Sequence, residues 1–359
     1  MIKTPTKFIA LLSGAAFLMS SAFAQGVTTD PVGYVTMTVN ATSDARVSVP
    51  LFGAATYSGA ASSVTAGVIT VSGDVPDVTT AAHFVWVTSN APVSPLTGKW
   101  YAVDSATATT ITVSEDLGAA GLVAGDTFHV VPFWTLDTLL PGGGGVPLSS
   151  DVFAPVGQLL FNDVTAQGVN LAPAGSYLYH DGAQGPAGWY DVNNVGGGLA
   201  GGTVVSPETY ITVRNGTGLS ATLTFAGTVP TLTFANDVVS RSAGPQDSQI
   251  PNPFPADVTF SASNLVTSGA LRASSNVFAP LDQLLLFAAS PTGYNPSPVK
   301  SVLYHDGAQG PAGWYDVNNI GGGLIDSDTI PAGAALVVRR AAGTDAVYSW
   351  APTVPYSLD

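Results

Sequence analysis

The stretch "LYHDGAQGPAGWYDVNN" occurs at 178–194 and again, without a difference, at 303–319. Its residue types allow three kinds of chemistry. His180 with Asp181 and Asp191, and His305 with Asp306 and Asp316, offer an imidazole and carboxylates that a hairpin would gather into a general-base pair or a metal site. Trp189 and Tyr190, with Trp314 and Tyr315, offer aromatic faces to the apolar side of a sugar ring, while the aspartates, Asn193 and Asn318 offer partners to its hydroxyls. "DVNNVG" and "DVNNIG" resemble the opening of a calcium loop. Their fifth place is Val195 or Ile320 and the twelfth is Gly202 or Ser327, so an EF-hand is excluded and only an irregular calcium site is left. Each reading has a purely structural counterpart: an edge histidine, cross-strand aromatic pairs that hold a hairpin, and an Asp-x-Asn-Asn turn.

Catalytic signatures are missing elsewhere. No G-x-S-x-G, no HExxH and no glycine loop followed by Lys-Ser/Thr occurs. Scattered aspartates could supply the two carboxylates of a glycosidase, but nothing singles out a pair. The sequence therefore predicts a protein that is not an enzyme, with a secreted hydrolase as the remotest alternative.

The elements that must position these residues are read from composition and self-comparison. Lys3 and Lys7, the apolar run "FIALLSGAAFLMSSA" and Ala22-Phe23-Ala24 predict a signal peptide over 1–24, and hence a secreted, periplasmic or cell-surface chain. No later stretch is long and apolar enough for a transmembrane helix, and the "QLLLF" run is unlike the regular alternation of an outer-membrane barrel. The full chain carries 24 Asp+Glu against 10 Lys+Arg, which excludes nucleic acid as a partner. Only two of the acids are glutamates, Glu115 and Glu208, so exposed helix faces are not expected. Gly 40, Pro 26 and turn-placed aspartates point to strands and turns, and Cys 0 removes disulfides and thiolate sites.

The duplication extends well beyond the quoted motif. "DVFAPVGQLLF" (151–161) matches "NVFAPLDQLLL" (276–286), and "TYITVRNGTG" (209–218) matches "GAALVVRRAAG" (333–343), at one offset of 125. Upstream, "DARVSVPLFGAATYS" (44–58) matches "DSQIPNPFPADVTFS" (247–261) at an offset of 203, so 78 residues are inserted in the first copy. The insertion carries six short β-type segments, among them "VITVSG", "HFVWVTS" and "TTITVSED", enough for a small closed barrel. The expected fold is all-β: two tandem β-sandwich-like repeat units with a small barrel-like domain in the first. The expected boundaries are 25–56 for the first strands, 57–135 for the insertion, 136–232 for the rest of the first repeat and 233–359 for the second.

"TTDPVGYVTMTV", "GKWYAV", "AGDTFHVVPFWTL", "NLAPAGSYLYHDG" with Trp189, and "VRNGTG" together resemble an uncharacterised family of exported, β-rich repeat proteins of verrucomicrobial-type bacteria. The resemblance implies export and a repeat architecture and brings no catalytic residues. Members of that family have a shorter, tyrosine-rich hairpin before the tryptophan, so the "AQGPAG" tip departs from their pattern. The function expected is that of a structural or adhesive protein of the cell surface that self-associates. A glycan-binding module using the two aromatic hairpins is the alternative.

Overall fold

Alternation builds the outer ribbons. In the computed structural model, which describes residues 30–75, 78, 81–89 and 96–357, "VGYVTMTV" forms the strand Val32–Val39 and pairs antiparallel with Ala221–Thr228. Tyr34, Thr36 and Thr38 face solvent, while Val35, Met37 and Val39 turn inward beside Leu223 and Phe225, as a two-residue side-chain period requires. The expected signal peptide lies outside the described residues.

Beneath this ribbon lies a five-stranded antiparallel sheet in the order Gly188–Asp191, Pro173–His180, Gly157–Asn162, Ile211–Asn215, Ser43–Val47. The second repeat has the same order: Gly313–Asp316, Lys300–His305, Asp282–Leu286, Ala335–Arg340, Gln246–Pro251. Its outer ribbon is Asn236–Ser240 with Ala346–Trp350. Each ribbon closes over its sheet around a separate core, with Leu159, Val213, Phe225 and Trp189 in the first and Leu284, Val338, Trp314 and Trp350 in the second. The central strands are apolar on both faces for a reason. Leu159 and Leu284 enter the cores, whereas Leu160 and Leu285 point to the side where the two repeats meet.

The chain is all-β, with 41 % strand and 5 % helix, so its poverty in Glu and Lys reflects a lack of helical surface. Tyr57–Thr65, Val68–Val71, Thr110–Val113, Trp100–Ala106, His83–Val87 and Thr127–Pro132 close into a six-stranded barrel. Ile69, Val71, Val85, Ile111, Phe128 and Val130 fill it. An aromatic cluster of Phe52, Phe84, Trp86 and Phe234 fixes the barrel to its host, and the Trp86 indole donates to Thr233 O at 3.1 Å. Among the described residues no helix is long and apolar enough to cross a membrane.

The repeats are tied by reciprocal loops. Asp247 N–H donates to Gly168 O (2.9 Å), Asn170 N–H to Asp247 Oδ2 (2.7 Å), and Arg339 clasps Asp247 through Nε and Nη2 at 2.8 Å each. In the opposite direction Asp44 N–H donates to Gly293 O (3.1 Å), Asn295 N–H to Asp44 Oδ2 (2.9 Å), and Arg214 clasps Asp44 at 2.8 and 2.9 Å. Asn170 and Asn295 sit at φ 55° and 48°, a region asparagine tolerates. Each loop of one repeat thus covers the edge strand of the other, as in an isologous dimer interface, and keeps that edge from further pairing.

Candidate functional site

The duplicated motif is a hairpin whose register sets Tyr179 against Trp189 and His180 against Gly188, with Tyr304–Trp314 and His305–Gly313 equivalent. Residues 181–187 and 306–312 form exposed tips. The histidines are not part of that exposed surface. His180 is 1 % exposed; its Nε2–H donates to Ser150 O (3.3 Å) and its Nδ1 accepts from Gly182 N–H (3.2 Å). His305 repeats the arrangement with Ser275 O and Gly307 N–H. An imidazole engaged by backbone groups at both nitrogens braces the turn and has no nitrogen free for a base or a metal.

Nor do the carboxylates converge on it. Asp191 pairs with Tyr177, three residues along the strand from His180 and about 10 Å away. Asp191 and Asp316 accept from Asn193 and Asn318 N–H at 2.8 and 2.9 Å, closing turns that lead into short 3₁₀ segments. Asp181 and Asp306 accept from Ala183 and Ala308 N–H at 2.8 Å each, and the Ser150 hydroxyl on Asp181 holds that carboxyl below its ordinary value. Asn193 and Asn318 are exposed. Among the described residues no three His, Asp or Glu side chains gather where a metal ion would sit, so the calcium reading gains no support here.

The sugar-platform reading is corrected by burial. Trp189 and Trp314 are 0 % and 2 % exposed; Trp189 meets Tyr179 edge-on at 5.3 Å, and Trp314 stacks on Phe260 at 5.3 Å. Tyr190 and Tyr315 are buried too, their hydroxyls donating to Pro186 and Pro311 O at 3.0 Å. Neither indole has a face open to a sugar ring. No protein-family model, curated protein or solved structure matches this chain. Geometry alone therefore bears on function.

What the hairpins do expose was not singled out by residue type. Phe153 and Phe278 are 83 % and 82 % exposed, in loops that lie beside the tips through the bridges Ser149–His180 and Ser274–His305. The lift comes from one turn used twice. Asp151 Oδ1 accepts from Phe153 N–H (2.8 Å) and Asn276 Oδ1 from Phe278 N–H (2.9 Å), which projects the ring outward. Leu199 and Leu324 are also exposed, each packing on the glycine that ends its tip, Gly188 or Gly313. Each repeat thus carries the same face: a glycine-rich tip, a projecting phenylalanine and a leucine. The recurrence of "VFAP" in both copies was the available signal.

Replacing His180 by alanine removes the acceptor of Gly182 N–H and the donor to Ser150 O. A cost of about 1–2 kcal/mol is expected, with faster amide exchange at Gly182 and unchanged exchange at Gly307, whose own histidine is intact.

Proposed function

We propose that this is an exported, non-enzymatic structural or adhesive protein that associates with copies of itself through its two equivalent hairpin faces. The observation that carries the reading is the pair Phe153 and Phe278, more than four-fifths exposed at the same place in two repeats, each beside an identical tip. Large side chains this exposed gain by burial against a partner. Two such faces on one chain make every contact bivalent, so weak sites add up to avidity, and a self-complementary face used twice extends an assembly instead of closing it. Braced histidines, buried tryptophans and turn-bound aspartates support the same reading, because each holds the face in shape.

Sedimentation and electron microscopy of residues 25–359 across a concentration series test this. The wild-type chain is expected to form linear assemblies, the single variants Phe153→Ser and Phe278→Ser to stop at dimers, and the double variant to stay monomeric. A wild-type chain that remains monomeric throughout, with or without calcium, or a double variant that assembles as well as the wild type, overturns the proposal.

A further inference from the structure

A cavity of about 530 Å³ lies where the two sheets meet, bordered by the reciprocal Asp–Arg clasps. That volume is in the range of ligand sites, which favour the boundary between units. The duplication preserved its border and changed its lining. Asp44/Asp247, Arg214/Arg339 and Asn170/Asn295 are the same in both repeats, whereas Arg46 stands opposite the equivalent Gln249, Asn162 opposite Phe287, and Thr212 opposite Val337. The first repeat therefore supplies a polar wall and the second an apolar one.

Two groups in this lining are short of a partner. Arg46 is stacked on the Phe287 ring, with its guanidinium carbon 3.7 Å from the centroid, and Nη1 donates to Pro296 O at 3.2 Å. Among the described residues no carboxylate pairs with it, although Arg214, Arg272, Arg339 and Arg340 each have an aspartate. Gln249 donates from Nε2 to the Tyr210 hydroxyl at 3.3 Å, and its Oε1 is buried without a hydrogen bond. A guanidinium held over a ring keeps its remaining N–H groups as a fork suited to a carboxylate. A buried orphan acceptor calls for a hydroxyl donor.

We infer that this cavity binds a hydroxylated carboxylate of sugar size, a sugar acid of the hexuronate class. Its carboxylate lies on Arg46, its hydroxyls on Gln249 and Asn162, and its apolar ring face on Leu285 and Val337. The site is separate from the hairpin faces, so it stands or falls independently of their role in assembly.

Calorimetry of residues 25–359 with galacturonate, galactose, acetate and inorganic phosphate tests the inference. Saturable binding of galacturonate is expected, with galactose and acetate at least about tenfold weaker because each lacks half of the recognised groups. Arg46→Gln, which copies the residue of the second repeat, is expected to reduce galacturonate affinity about tenfold or more. Gln249→Glu, nearly isosteric, sets a like charge against the carboxylate and is expected to abolish galacturonate binding even if Arg46→Gln does not fold. Absence of galacturonate binding, equal binding of galactose, tighter binding of phosphate, or unchanged affinity in a folded variant overturns the inference.

Discussion

Replacing Asp282 by alanine is expected to destabilise the protein by about 3–5 kcal/mol, the range for removing one partner of a buried ion pair. Asp282 is 0 % exposed and accepts from Arg272 through Nε and Nη2, from Arg272 N–H and from Ala341 N–H. Arg340, 1 % exposed, has its Nε 3.8 Å away, donates from Nη1 to Gly269 and Ala270 O, and lies 4.2 Å from the Tyr348 ring centroid. Burial already holds Arg340 below the usual guanidinium range, and the Asp282 charge opposes that effect. Without the carboxylate, the Arg272 guanidinium and two backbone N–H groups lose their acceptor, and buried Arg340 loses its counter-charge. The first repeat indicates how the site can do without charge. Pro147, Gly157 and Asn215 occupy the places of Arg272, Asp282 and Arg340, and Asn215 alone donates to Val39, Asn40 and Leu219 O. Copying all three into the second repeat is therefore expected to cost less than Asp282→Ala by itself, which urea unfolding of the two variants would measure. A loss below about 1 kcal/mol for Asp282→Ala would mean that water replaces the carboxylate.

The repeat architecture was legible because duplication leaves apolar positions in register: "QLLF" and "QLLL" become the central strands of matching sheets. The barrel was legible through short β-branched runs separated by turns. The site was less so, and the tryptophans explain why. Neighbouring strand residues face opposite sides, so Trp189 and Tyr190 cannot both enter one core. Yet both are buried, because Leu199 bridges back to Tyr190 and covers the outer face. No local pattern announces that return. The same holds for Asp44 and Asn295, 251 residues apart, whose contact depends on one repeat docking against the other. Phe153 was hidden differently: an apolar residue beside a strand reads as core, and only the Asx turn at Asp151 directs it outward. His180 looked reactive by type, and its silence comes from three backbone partners that no spacing reveals.

Glu208 sets the second large expectation. Its carboxyl is pushed up to about 7, first by burial and then by the charge of Asp237. It shares a small crevice between the repeats with Asp163, Asp237 and Asp247. The ordinary value is 4.5, so between that pH and about 7 the folded chain keeps a proton that the unfolded chain has released. Stability therefore falls as pH rises through this window, and the full penalty is present above it. A rise of this size corresponds to about 3 kcal/mol. Glu208→Gln keeps the shape and removes the charge, so it is expected to match the wild type at pH 4 and to exceed its stability by about 3 kcal/mol at pH 8. Urea unfolding at pH 4, 6 and 8 measures the difference. Asp163, Asp181 and Asp345, held below their ordinary values first by hydrogen bonds from Thr165, Ser150 and Ser242, act in the opposite sense. Their contribution is lost as pH falls below about 4, and it is common to both proteins. Subtracting the two curves therefore isolates Glu208. Parallel curves from pH 4 to 8 would mean that this carboxyl ionises as an exposed one does, and that the crevice is open to water.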